Sequence, residues 1–165
     1  MRDAEFLIEA MAVQLHDLLT RRGIADPALV GIHTGGVWVA ERLRQRMGIA
    51  TPLGQLDIAF YRDDFSRIGL HPRVQPSELP FDVDGRHLVL IDDVLYTGRT
   101  VRAALNELFD YGRPASVLLA VLVDRGGREL PIEAHVAGSR LELPAGQQLQ
   151  LTGPDPLQLV MQIPS

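Results

Sequence analysis

The stretch from Leu88 to Thr100 (LVLIDDVLYTGRT) constrains the fold more than any other part of the chain. Its apolar run reads as a buried strand that stops at two adjacent carboxylates, Asp92 and Asp93. A short turn carrying Thr97, Gly98 and Thr100 follows, and an amphipathic helix starts at about Arg99. The unpaired N–H groups at such a helix start, with the positive end of its dipole, make the turn a place for phosphate. Carboxylates beside a phosphate repel it unless they address another part of the same ligand. Ribose hydroxyls are the natural candidates, so these residues predict a ribose-phosphate site at the carboxyl end of a buried strand.

The chain contains no lysine; all 16 basic side chains are arginine. That excludes Schiff-base chemistry, a P-loop lysine and a lysine general base. It also weighs against a phospho-receiver domain, which pairs acids at a strand end but relies on a lysine. Anion recognition is left to arginine, backbone N–H groups and hydroxyls. The absence of cysteine excludes disulfides, thiolate metal sites and a cysteine nucleophile. A formal net charge of −5 argues against nucleic-acid binding through bulk charge and leaves only a local basic face.

At 165 residues and 46% apolar content, residues 1–165 are expected to form one soluble domain. No apolar stretch reaches the roughly 20 residues of a membrane span. The start, Arg2-Asp3-Ala4-Glu5, has no apolar signal core, so the expected location is the cytoplasm.

Residues 3–22 read as a helix, with a Leu7, Met11, Leu15, Leu18 stripe, Asp3 as cap and Gly23 beyond the end. Ala28–Ile32 is a short strand, and a helix follows over about 37–47 with Gly48 as its C-cap. Leu56, Ile58 and Phe60 alternate, which predicts a strand over 55–60. Residues 61–80 form a long polar loop, a length typical of functional lids. After the opening motif, a helix over 99–111 ends at Gly112, and Ser116–Val123 is a strand covered on both faces. Short candidate strands follow at 133–136, 147–151 and 157–163. The pattern β-α-β-loop-β-α-β implies an α/β fold: a doubly wound parallel sheet with flanking helices, its ligands at the carboxyl ends of the strands.

Three further segments fall at those ends. Thr34-Gly35-Gly36 follows the first strand and is either a packing turn or a second anion loop whose bare backbone approaches a pyrophosphate. Tyr61-Arg62-Asp63-Asp64 opens the long loop, which also carries Arg67, His71 and Arg73; such a loop is either simply solvated or a lid that closes over charged phosphates and excludes water. Val123-Asp124-Arg125-Gly126-Gly127-Arg128-Glu129-Leu130-Pro131 ends the last core strand, as a polar surface turn or as a pocket wall. His16, His87 and His135 have no metal-ligand spacing and read as structural or surface residues, and His33 lies beside the glycine turn.

The strand with DDVLYTGRT matches the phosphoribosyl pyrophosphate signature of the type I phosphoribosyltransferases. YRDD, DDVLYTGRT and the VDRG-x-RELPI pattern occur in this order at family-like spacing, and the chain resembles the PyrR family of pyrimidine operon regulators and uracil phosphoribosyltransferases over about residues 3–135. The resemblance implies a type I phosphoribosyltransferase fold with a long flexible loop at 61–80 and a small β-rich hood drawn from the N-terminus and about 125–165. It implies that phosphoribosyl pyrophosphate (PRPP) and uracil give UMP and diphosphate with Mg²⁺ as cofactor, carried mainly by the substrate and in part by Asp92 and Asp93. Thr97, Gly98, Arg99 and Thr100 would hold the 5′-phosphate, and Asp92 and Asp93 the ribose hydroxyls. Thr34, Gly35, Gly36, Arg62 and Asp63 would hold the pyrophosphate, with Arg62 also catalytic, and Val94, Asp124 and Arg125 would form the base pocket.

The family also implies a homodimer or higher oligomer, and a second role as a UMP- or PRPP-sensing regulator that binds a messenger RNA leader. Arg21, Arg22, Arg42 and Arg46 are the candidates for a basic surface. Two residues depart from the family pattern. Gly127 stands where the commonest motif has a histidine of the RNA-recognition surface, and Gly35 where many relatives carry arginine. The transferase without RNA attenuation ranks first, the bifunctional regulator second and a purine-specific transferase third.

Overall fold

The structure, a computed structural model, describes residues 3–58 and 77–162. Five parallel strands form one sheet in the order β2-β1-β3-β4-β5: β1 Ala28–Ile32, β2 Gly54–Leu56, β3 His87–Leu95, β4 Ser116–Asp124 and β5 Val136–Arg140. Helices α1 (Ala4–Arg21) and α2 (Gly35–Met47) cover one face, and α3 (Arg99–Tyr111) covers the other. A separate antiparallel hairpin, β6 (Gln148–Thr152) with β7 (Gln158–Gln162), completes the described chain.

Period-two alternation explains why the central strands are apolar throughout. Leu29, Val89, Ile91, Leu118, Ala120 and Leu122 pack under α1 and α2 with Leu7, Met11, Leu15, Val39 and Leu43. Val30, Ile32, Leu88, Leu90, Leu119 and Val121 turn the other way, to Val101, Ala104 and Leu108 of α3. Leu149, Leu151 and Leu157 fasten the hairpin to the first of these clusters.

Several boundaries fall as the residues predict: Asp3 accepts a hydrogen bond from the Glu5 N–H at the start of α1, and Gly48 ends α2 in the left-handed conformation at φ 64°. Others move. Helix α2 begins at Gly35 rather than 37, because its first turn needs no intrahelical N–H partner and so tolerates two glycines. Strand β2 is only three residues long, since Asp57 turns its N–H to the Ser77 hydroxyl (3.1 Å); positions 59 and 60 lie outside the described residues. The strand expected at 133–136 lies at 136–140. The Leu119 N–H donates to the His135 ring Nδ1 (3.0 Å), so a side chain stands where the ladder needs a backbone carbonyl, and regular pairing starts at Ala120 with Val136.

Of the expected 61–80 loop, Glu78 is bridged to Gln55 of β2, and 61–76 lie outside the described residues. The small C-terminal sheet is also narrower than expected. Strand β5 joins the main sheet and α1 lies on its face, which leaves the hairpin alone as the second sheet.

Candidate active site

The strand order reverses between β1 and β3, and both strands run directly into helices there. At the first junction the glycines set how close the helix approaches. A Cβ on Gly36 would lie 2.5 Å from the Ile91 carbonyl oxygen, and one on Gly31 would lie 2.7 Å from Val37 Cα. Gly35 makes room for a carboxylate: a Cβ there would come within 2.2 Å of Asp93 Oδ2. No side chain caps α2 at Thr34, so the first-turn N–H groups face the site without one. The His33 ring bonds Gln55 Oε1 (2.8 Å) and is turned to β2.

At the second junction Gly98 takes φ 97° and, as the N-cap, offers the helix no side chain of its own. Asp92, Tyr96, Thr97, Gly98 and Thr100 line a cavity of about 130 Å³ at this helix start. The Thr97 hydroxyl accepts from the Arg99 N–H (3.2 Å), while the Arg99 guanidinium pairs with Glu129 at 2.7 Å. Asp92 is buried and accepts from the Asp93 N–H at 2.8 Å; Asp93 accepts from Val94 at the same distance.

A second cavity, of about 480 Å³, lies against the first and shares Val94 and Tyr96 with it. Arg125 and residues 146–150 form its remaining walls. Arg125 is 5% exposed, lies under the Tyr96 ring with Cζ 3.9 Å from the centroid, and donates from Nη1 to the Gln147 carbonyl (2.8 Å).

Asp124 is absent from this lining and braces the turn instead. Its carboxylate accepts from Arg128 Nη2 (2.7 Å) and from the Gly126 N–H (3.1 Å), with Arg140 Nε 3.9 Å away. Burial pushes the Asp124 carboxyl up, but these bonds and the two guanidinium charges outweigh it and hold the carboxyl below its ordinary value. Arg128 also donates to the carbonyls of Tyr96 (2.9 Å) and Ile132 (2.7 Å). The Glu129 and Leu130 N–H groups donate to the Thr97 carbonyl (2.9 and 3.2 Å), so the two turns are stitched together.

The fold thus brings Thr34, Gly35, Gly36, Asp92, Asp93, Val94, Thr97, Gly98, Thr100 and Arg125 to one edge of the sheet. Arg62, Asp63 and the other loop residues lie outside the described residues. Sequence reasoning missed Tyr96 as a shared wall and the hairpin residues Gln147 to Gln150. Leu149 and Leu151 alternate with Gln148 and Gln150, which signals a strand but not what it faces. Among the described residues no cluster of three or more His, Asp or Glu side chains is arranged to hold a metal alone.

These features define a phosphoribosyltransferase domain, and residues 2–148 match the family model of that description. A hypoxanthine phosphoribosyltransferase from Staphylococcus aureus superposes with TM-score 0.63 at 18% identity, covering 85% of this chain and 75% of that one. A hypoxanthine phosphoribosyltransferase from Trypanosoma cruzi gives 0.64 at 19%, covering 86% and 80%. At that identity the likeness is one of fold.

Two relatives narrow the assignment. "Bifunctional protein PyrR" of Nitrosococcus oceani is 61% identical over 158 residues, 94% of this chain and 89% of the relative. The protein of the same name from Pseudomonas putida is 62% identical over 156 residues, 94% and 91%. The chain belongs to the PyrR family of phosphoribosyltransferase-domain proteins.

Proposed function

We propose that the chain is a cytoplasmic single-domain uracil phosphoribosyltransferase of pyrimidine salvage, joining uracil N1 to C1′ of PRPP and releasing diphosphate. The observation that carries this reading is the pair of adjoining cavities, a small donor-lined one at the phosphate turn and a larger one beside Arg125, with Asp92 at the edge of the first. A ribose 5-phosphate in the small cavity would direct C1′ toward the large one.

Catalysis in this reading is positioning and electrostatics. The Thr97 and Thr100 hydroxyls and the N–H groups of the α3 start hold the 5′-phosphate, with the Arg99 N–H exchanging its Thr97 partner for the phosphate and the Arg99 guanidinium staying on Glu129. Asp92 and Asp93 accept from the ribose hydroxyls, and their charge favours the cationic centre that develops at C1′. Thr34, Gly35 and Gly36, with Arg62 and Asp63, hold the leaving diphosphate. Val94 and Arg125 wall the base pocket. Asp92 and Asp93 would share a Mg²⁺ ion brought largely on the substrate's oxygens, the hard oxygen donors such an ion prefers. That ion would neutralise charge on the leaving group.

The test is turnover of PRPP with Mg²⁺ and each of uracil, hypoxanthine, guanine and orotate. UMP formation with uracil alone is expected, and no turnover with any base sinks the enzyme reading.

The relatives' printed description as bifunctional favours a second role, for which we propose RNA regulation. The surface first considered for it is largely neutralised: Arg42 and Arg46 pair with Glu5, Arg46 also with Glu9, and Arg21 with Asp17. A salt titration against pyrimidine-operon leader RNA and a scrambled control reads this directly. A specific binder keeps its preference while affinity falls steeply with salt.

A further inference from the structure

We infer that Gly127 is a positioning residue for the acceptor base: it leaves the space in which the Tyr96 ring covers Arg125. This rests on the reading of the larger cavity as the base pocket.

Gly127 has φ 78°, and a Cβ built there lies 2.4 Å from Tyr96 Cε1 and 2.9 Å from Cδ1. Such a contact forces something to move, and the backbone on both sides is pinned. The Tyr96 carbonyl is held by Arg128 Nη1 (2.9 Å), and the Arg125 N–H by the Leu95 carbonyl (3.0 Å). The Tyr96 ring is 42% exposed and free to swing outward, so the ring is what yields.

Its departure matters because Arg125 has little else to hold it. The residue is buried, and among the described residues Nη1 has one bond, to Gln147, and the buried Nε has no hydrogen-bond partner. The face of Tyr96 at 3.9 Å is the compensation it has. With the ring displaced, Arg125 would gain other rotamers and water, and the wall it shares with Tyr96 would lose its shape.

Gly126 supplies the control. Its φ of 77° carries the same backbone penalty, but a Cβ there meets only Glu142 Cγ, at an ordinary 3.6 Å. Gly127→Ala is expected to raise KM for uracil about tenfold, the loss of one partly buried cation–π contact, with kcat and KM for PRPP within about twofold. Tyr96→Leu should raise the uracil KM likewise, and Gly126→Ala should leave it unchanged.

A second readout needs no turnover. The Arg125 Nε–H resonance, shifted by the Tyr96 ring current, should move toward its random-coil position in Gly127→Ala and keep its place in Gly126→Ala. Equal behaviour of the two alanine variants in the spectrum overturns the inference. So does an unchanged uracil KM in Gly127→Ala. A wild-type chain that turns over no uracil sinks the function proposed above, and the spectrum still decides whether Gly127 positions the stack.

Discussion

The turn after β3 and the turn after β4 lie side by side on the same sheet edge, yet they are made in opposite ways. The first is local. Thr97, Gly98 and Thr100 are neighbours in sequence, the Thr97 hydroxyl takes the Arg99 N–H, and the helix start opens on a cavity. The second is cross-braced: Asp124 binds Arg128 and Gly126 within the turn, Arg125 stacks on Tyr96, and the Gln147 carbonyl just before β6 accepts from Arg125. A turn whose helix start opens on a cavity is equipped to bind. One that has spent its polar groups on itself is equipped to hold a shape.

Substitutions should separate the two. Replacing Asp92 and Asp93 together with Asn should lower uracil-dependent diphosphate release about 10³-fold, the scale of losing charge stabilisation at a reacting centre, with little change in the urea midpoint. Unchanged release would remove the ribose assignment.

Asp124→Ala should do the reverse in kind. It takes one charged partner from the Arg128 guanidinium, which keeps the Tyr96 and Ile132 carbonyls, and should cost about 2 kcal/mol of stability in urea unfolding. If the variant unfolds like wild type, the second turn is not self-braced.

The smallest effect is in pH. The folded Asp124 carboxyl lies below its unfolded value, so its contribution is complete above that value and is lost as pH falls through the lower folded one. The stability gap between wild type and Asp124→Asn should therefore narrow below about pH 4. A gap that widens there reverses the sign.

The same contrast governs what was legible in the sequence. The strands at 28–32 and 116–124 and the helix at 99–111 stand where apolar runs and flanking glycines put them, because each depends on its own residues. The fifth strand was misplaced because its start depends on His135 meeting Leu119, 16 positions away. Arg42 and Arg46 read as an open basic surface, yet their partners Glu5 and Glu9 come from another helix, 37 to 41 residues away. At the site, the phosphate turn and glycine turn were legible as motifs. That Asp124 braces the turn while Arg125 faces the cavity was not, since adjacent residues at a strand end differ only in the direction the fold gives them.

The hairpin carries one more consequence. Its inner leucines, Leu149 and Leu151, are seated in the α1–α2 cluster, while the opposite wall of the larger cavity, Val94 and Tyr96, belongs to β3 and the turn beyond it. The gap between the walls is thus a caliper setting, fixed by how deeply two leucines sink into the cluster under α1 and α2. Selectivity among acceptors of different width can then drift through trimming or enlarging Leu151, which is seated behind the wall that Leu149 lines, with every residue on the cavity surface unchanged.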